Sequence, residues 1–151
     1  MDILKGKVSV RVFPVGRLDK DTTGLLLITN DGDLTRKLSH PSYEVKKIYH
    51  VTLDRNLEEK DYISIKTGIQ LEDGFIKVDG ISFVKDAKTN EVGITIHSGR
   101  NRIIRRIFES LGYRVEKLDR VYYGGLTKKD LPRGMTRFLT KQEIIMLKHF
   151  N

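Results

Sequence analysis

Val92-Gly93-Ile94-Thr95-Ile96-His97, then Asn101-Arg102-Ile103-Ile104-Arg105-Arg106-Ile107-Phe108-Glu109-Ser110-Leu111-Gly112, then Val115 to Tyr123 hold the clearest changes of period in the chain. In the first segment Val92, Ile94 and Ile96 alternate with Gly93, Thr95 and His97, the pattern of a strand with one buried face. From Asn101 the apolar residues Ile103, Ile104, Ile107, Phe108 and Leu111 keep helical spacing, and Gly112 stands where a C-terminal cap belongs. Val115 to Tyr123 returns to strand, and Gly124-Gly125 turns. A strand, a helix and a strand in this order need a sheet with a helix packed against it.

Upstream, Lys47 to Leu53 reads as another strand, with β-branched and aromatic residues on alternate positions. A short helix is expected over residues 57–63, and strands over 69–71 and 75–84 with a turn at Gly74. Lys5 to Val15 alternates apolar and basic residues and is expected to be a strand ended by Pro14. Leu25 to Thr29 is expected to be a buried strand that stops at Asn30-Asp31-Gly32. Asp31 then caps a helix running to about Leu38, and His40-Pro41 closes it. Thr140 with Glu143 three positions on marks a capping box and a last helix. The elements interleave without a βαβ repeat, so the fold class is α+β, a mixed, largely antiparallel sheet with flanking helices, in one domain.

Lys and Arg number 28 against 20 Asp and Glu, a formal charge of +8 over 151 residues, which suits a polyanionic partner. No cysteine is present, so disulfides, thiol nucleophiles and cysteine-ligated metals are excluded. The longest wholly apolar run, Leu25 to Ile28, is far below membrane-spanning length, and a soluble cytoplasmic protein is expected. His40, His50, His97 and His149 show no metal-ligand spacing, and no metal is expected.

Gly16-Arg17-Leu18-Asp19-Lys20-Asp21-Thr22-Thr23-Gly24 places carboxylates among cations in a glycine-bounded loop. Arg17 and Lys20 flank Asp19 and would favour its ionised form, as a nucleophile or base requires. Loop aspartates also commonly do no more than bond their own turn. Arg102, Arg105 and Arg106 form a compact basic face on the helix, suited to phosphate or to a carboxylate, or simply to solvent. The six tyrosines interleave with basic residues, and any one of them can stack on an unpaired base or merely pack.

Taken together, these residues resemble the pseudouridine synthases that modify ribosomal RNA in bacteria. Gly16-Arg17-Leu18-Asp19, continuing through Thr23-Gly24-Leu25-Leu26 to Thr29-Asn30-Asp31-Gly32, is similar to that family's signature around its catalytic aspartate. Lys47-Ile48-Tyr49-His50-Val51 resembles its Lys-x-Tyr-x-Val strand, and Gly99-Arg100-Asn101-Arg102-Ile103-Ile104-Arg105-Arg106 its arginine motif. The likeness continues through Leu118-Asp119-Arg120-Val121 to Arg137-Phe138-Leu139-Thr140. His40-Pro41-Ser42-Tyr43-Glu44-Val45 looks more like the large-subunit members than the small-subunit ones.

What the resemblance implies is specific. Asp19 is the catalytic carboxylate, Tyr49 packs against the target base, Arg105 pairs with Asp19, and Leu118 borders the base pocket. Arg17, Lys20, Arg100, Arg102, Arg106 and Arg120 are the expected RNA contacts. The partner is ribosomal RNA, of the large rather than the small subunit, with no cofactor and a monomeric enzyme. Ile103 stands where many members have glutamine. The small N-terminal RNA-binding domain and first Lys-Pro strand of relatives are not matched before Met1. The alternative is a non-catalytic RNA-binding or ribosome-assembly module with the same fold, against which the retained aspartate, tyrosine and arginine argue. A DNA-binding protein has only net charge in its favour.

Overall fold

The computed structural model describes residues 10–149. In chain order it runs β1 (Phe13–Pro14), β2 (Thr23–Gly24), β3 (Ile28–Thr29), α1 (Gly32–Ser39), a 3-10 helix (Pro41–Tyr43), β4 (Lys47–Leu53) and α2 (Glu59–Thr67). It continues with β5 (Ile69–Leu71), β6 (Gly74–Ile76), β7 (Gly80–Phe83), β8 (Glu91–Ile96), α3 (Ile103–Ser110), β9 (Val115–Tyr123), β10 (Leu126–Thr127) and α4 (Lys141–Lys148). The main sheet has the order β10-β9-β4-β8-β7, and β2 pairs with β9. All its pairings are antiparallel except β2 with β9, so the sheet is mixed and largely antiparallel, as expected.

The register follows from burial. Val51 on β4 lies opposite Val92 on β8 and Leu118 on β9, and all three are buried, so this row cannot slip by one residue without turning to the opposite face. α3 lays Ile103, Ile104, Ile107 and Phe108 into the same core, where Phe108 is fully enclosed. Burying a side chain of this size stabilises a domain by about 1.5–3 kcal/mol. A second cluster joins Val15, Leu27, Leu34, Leu38, Val45, Tyr123, Leu126 and Leu147.

The register between β4 and β9 shifts twice, at Thr52/Leu53 and at Ile48/Tyr49. Tyr49 pairs with Arg120 but Ile48 pairs with Tyr122, so Val121 is an extra residue in β9. A bulge of this kind twists a strand and re-aims the side chains beyond it. Here it keeps Lys47 and Tyr49 of β4 on one face with Arg120 and Tyr123 of β9.

Several boundaries differ from the sequence expectation. Leu25–Thr29 is not one buried strand: Leu27 is buried, but Leu26 is 39% exposed. The reason is tertiary, because Thr23–Gly24 joins the main sheet while Ile28–Thr29 pairs with β1, and the leucines cross between the two. Of the strand expected over residues 5–15, residues 5–9 lie outside the described part, and Phe13–Pro14 does the pairing. α2 begins later and ends later than expected, at Gly68, whose φ of 124° terminates it. Residues 75–84 divide into β6 and β7. The expected caps are present: Leu34 N–H donates to Asp31 Oδ1 at 3.0 Å, and Thr140 and Glu143 form the capping box.

Gly24 sits at φ 117° against β9, where an added Cβ would run into the Arg120 backbone. Gly24→Ala is therefore expected to lower stability by about 1–3 kcal/mol and to loosen β2 from β9. Urea denaturation measures the loss, and an unchanged midpoint would mean that β2 does not make this close approach.

Candidate active site

The loop from Gly16 to Gly24 joins β1 to β2, and its two sides are held by different elements. On the β9 side, Leu25 N–H donates to Arg120 O at 2.8 Å, and Thr23 Oγ1 donates to Asp119 Oδ1 at 3.0 Å. Arg120 Nε and Nη2 both donate back to Leu25 O, at 2.9 and 2.7 Å. On the α3 side, Arg105 Nη2 donates to Asp21 O at 2.7 Å while its Nη1 donates to Val115 O at 3.2 Å. Arg105 thus ties helix, strand and loop together.

The carboxylates divide this cationic environment unequally. Asp21 receives both terminal nitrogens of Arg102, at 3.3 and 3.4 Å, and its Oδ1 lies 3.5 Å from Arg105 Nε. The Arg102 hydrogen bonds, with Arg105 nearby, hold the Asp21 carboxyl below the usual aspartate range despite a smaller opposing effect of desolvation. Asp19 has Arg102 Nη1 at 3.9 Å from its Oδ2 and remains 39% exposed. Among the described residues, the ion pair expected between Arg105 and Asp19 is not formed: the buried guanidinium meets Asp21, two residues further on. The backbone carbonyl of Asp21 supplies the stronger bond, which a sequence does not display.

Other expected residues fall into distinct places. Tyr49 is partly buried, packs against the main core, and lies opposite Arg120. Leu118 is buried in that core opposite Val51. Arg17 and Lys20 are exposed, and among the described residues neither has a carboxylate within ion-pair distance. Arg106 Nη1 donates to Asp73 Oδ1 at 2.8 Å, and Arg100 Nη1 is 3.5 Å from the same oxygen. With Asn101 and Arg102 these residues line a surface depression.

Two arginines do not occupy the expected basic surface. Arg105 is 6% exposed and Arg120 4%, each committed to carbonyl oxygens inside the molecule. The helix face therefore presents Arg102 and Arg106, without Arg105, and Arg120 acts as a clamp on the loop. Its guanidinium also lies over the Tyr123 ring, 4.9 Å from the centroid. Lys47 Nζ donates to Ser98 O at 3.4 Å. Burial, and secondarily the charge of Arg120, press its ammonium below the ordinary lysine range.

Sequence motifs assign no role to Asp21, Asp73 or Lys47. Asp21 is legible there only as a turn-former, because its partners are 81 and 84 positions away. Arg102 carries a subtler mark: its backbone is left-handed, φ 49°, at the start of α3. Strained conformations of this kind persist where surrounding contacts hold them, and they gather at functional sites. His50 pairs with Glu91 at 2.9 Å and His97 with Asp79 at 2.8 Å. Among the described residues no three metal-ligating side chains come together, and no helix is long and apolar enough to cross a membrane.

The family model for RNA pseudouridylate synthase matches residues 2–110. The chain is 42% identical over 142 residues to ribosomal large subunit pseudouridine synthase B of Bacillus subtilis (strain 168), covering 91% of this chain and 58% of that one. It is 39% identical over 138 residues to an uncharacterized RNA pseudouridine synthase of Aquifex aeolicus (strain VF5), covering 91% and 55%. A solved structure described as the crystal structure of pseudouridylate synthase superposes with a TM-score of 0.79 at 33% identity, over 90% of this chain and 59% of that one. The chain spans between half and two thirds of the length of these relatives.

The Asp21 pairing has a pH signature. Its carboxyl lies lower in the folded state than the ordinary 3.8, so the pairing stabilises the fold above that pH and is lost as pH falls through the lowered value. Asp21→Asn should therefore be less stable than the parent at neutral pH, with the gap closing below about pH 4. Thermal melts of both proteins from pH 7 to pH 2 test this, and a gap independent of pH would show that the charge of Asp21 does not hold the arginines.

Proposed function

The chain belongs to the RNA pseudouridylate synthase family, and on that membership we propose that it converts a uridine of large-subunit ribosomal RNA to pseudouridine, with Asp19 as the catalytic carboxylate. The observation that carries this reading is the double fixation of the Asp19 loop. Arg120 clamps it to β9, and Arg102 and Arg105 grip it from α3. Asp19 lies in that loop within 3.9 Å of Arg102 on the arginine-bearing helix, a few residues before the bonds of Thr23 and Leu25 to β9. Positioning of this kind supplies much of the barrier reduction in a reaction within one bound substrate.

The uridine leaves its stack to reach such a site. Arg100, Arg102 and Arg106 hold flanking phosphates, with exposed Arg17 and Lys20 adding to the field. Tyr49 packs against the extruded base and Leu118 borders its other side. The bond between uracil N1 and ribose C1′ breaks, the base turns, and C5 joins C1′. The proton from C5 is lost and N1 ends protonated, so atoms and electrons balance with no cofactor. Asp19 acts at the sugar or at the base, and each of these routes needs its ionised form. Arg102 stands beside it as counter-cation, and Arg105 supports the arrangement through Asp21. On this reading the protein works in the cytoplasm, where its ribosomal RNA substrate is found, and acts as a monomer.

Incubation with unmodified ribosomal RNA, followed by chemical tagging of pseudouridine and primer extension, tests the assignment. The parent is expected to give one new stop in the large-subunit RNA. Asp19→Asn should lose turnover by on the order of a thousandfold or more while RNA binding changes little. Turnover retained by the Asn variant would remove Asp19 from the chemistry, and a stop in small-subunit RNA would move the substrate.

A further inference from the structure

The hairpin formed by β5 and β6 carries Phe75, which is 61% exposed although it belongs to a paired strand. Its position is built rather than incidental. The tip of the ring rests on Gly68, at the end of α2, where an added Cβ would overlap it. Gly68 has a φ of 124° and no side chain, so it both ends the helix and makes room for the ring. Most of the aromatic surface is left to solvent.

The backbone beneath Phe75 is fastened to the arginine depression beside the candidate active site. Arg100 Nη2 donates to Phe75 O at 3.3 Å, and its Nη1 donates to Asp73 O at 3.4 Å. Arg106 holds the Asp73 carboxylate in the same hairpin. In the depression Arg100 and Arg106 share the single Asp73 carboxylate, so one positive charge is left over, while Arg102 on its edge is paired with Asp21. Arg102 reaches from it to Asp19.

From this arrangement we propose that Phe75 is a stacking platform for an unpaired base of the RNA that flanks the target uridine, with the neighbouring phosphate held by the arginine depression. The proposal rests on RNA being the substrate and adds a second nucleotide site to the first. An exposed ring pinned at one end, beside a cationic groove, is the chemistry that holds single-stranded nucleic acid: the base takes the ring and the phosphate takes the charge. Asp73 then has a definite part, since it anchors Arg100 and Arg106 to the hairpin and keeps ring and cations in one frame.

The chain contains no tryptophan, so Phe75→Trp places a single indole fluorophore on the platform. Titration of this variant with an unmodified large-subunit ribosomal RNA transcript is expected to quench the indole emission saturably, with quenching lost at high salt. Phe75→Ala and Phe75→Leu should both raise KM for pseudouridine formation by about five- to a hundredfold and change kcat little, as expected for the loss of one base-aromatic stack. Leu keeps an apolar side chain without a π face, so a merely packing role would leave the Leu variant like the parent and overturn the platform. RNA binding seen by anisotropy of labelled transcript, with the indole emission unchanged, would also overturn it. Absence of RNA binding would overturn both the platform and the substrate assignment. Quenching of the indole without pseudouridine formation would keep the platform and sink the catalytic reading.

Discussion

The buried guanidinium of Arg105 ties together the parts on which the site depends. It is almost wholly removed from water, and a charge in that position is costly unless its donors are matched. Two of its donors are matched, by Val115 O at the start of β9 and by Asp21 O in the loop, while Nε has no hydrogen-bond partner and meets the Asp21 carboxylate only as a charge, at 3.5 Å. Planar, multiply donating arginine can reach carbonyls on two segments and still lie against a carboxylate, whereas a lysine ammonium in the same space would reach fewer of them. Helix, strand and loop are thereby held in one geometry, and the exposed Asp19 inherits its position from that constraint.

β9 performs two structural tasks at once. It pairs with β4 along its whole length and contributes Val115 and Leu118 to the core, and it supports the loop through Asp119 and Arg120. The bulge at Val121 follows both sets of residues and does not break the sheet. It also brings Arg120, Tyr123, Lys47 and Tyr49 to one face, where burial first, and then the charge of Arg120, lowers the Lys47 ammonium. A regular strand would turn Tyr123 to the opposite face, because side chains alternate with each residue.

The arginines of one short motif take on quite different duties. Arg105 and its strand counterpart Arg120 are internal braces, while Arg100, Arg102 and Arg106 remain partly open to solvent. Spacing alone groups Arg102, Arg105 and Arg106 together. Helical geometry separates them, since Arg105 shares the inward side with Ile104 and Phe108. Asp73, contributed by a hairpin 27 to 33 positions upstream, then decides how Arg100 and Arg106 are oriented.

The sequence by itself determined the fold class, β4, α3, β9 and the caps of α1 and α4, because these rest on local periodicity and on bonds between residues a few positions apart. Its motif around Asp19, together with Lys47-x-Tyr49 and the arginine run, also pointed to the family, since side-chain identity at fixed spacing is what a linear chain displays directly. Only the tertiary structure decided that Arg105 meets Asp21, that Arg120 is an internal clamp, and that Leu25 and Leu26 cross between sheets instead of filling a strand. Those outcomes depend on partners 84 to 95 positions away and on backbone carbonyls, which every residue possesses alike. A sequence records which side chains are present, but the choice among acceptors belongs to the packing that removes some of them from water and leaves others exposed.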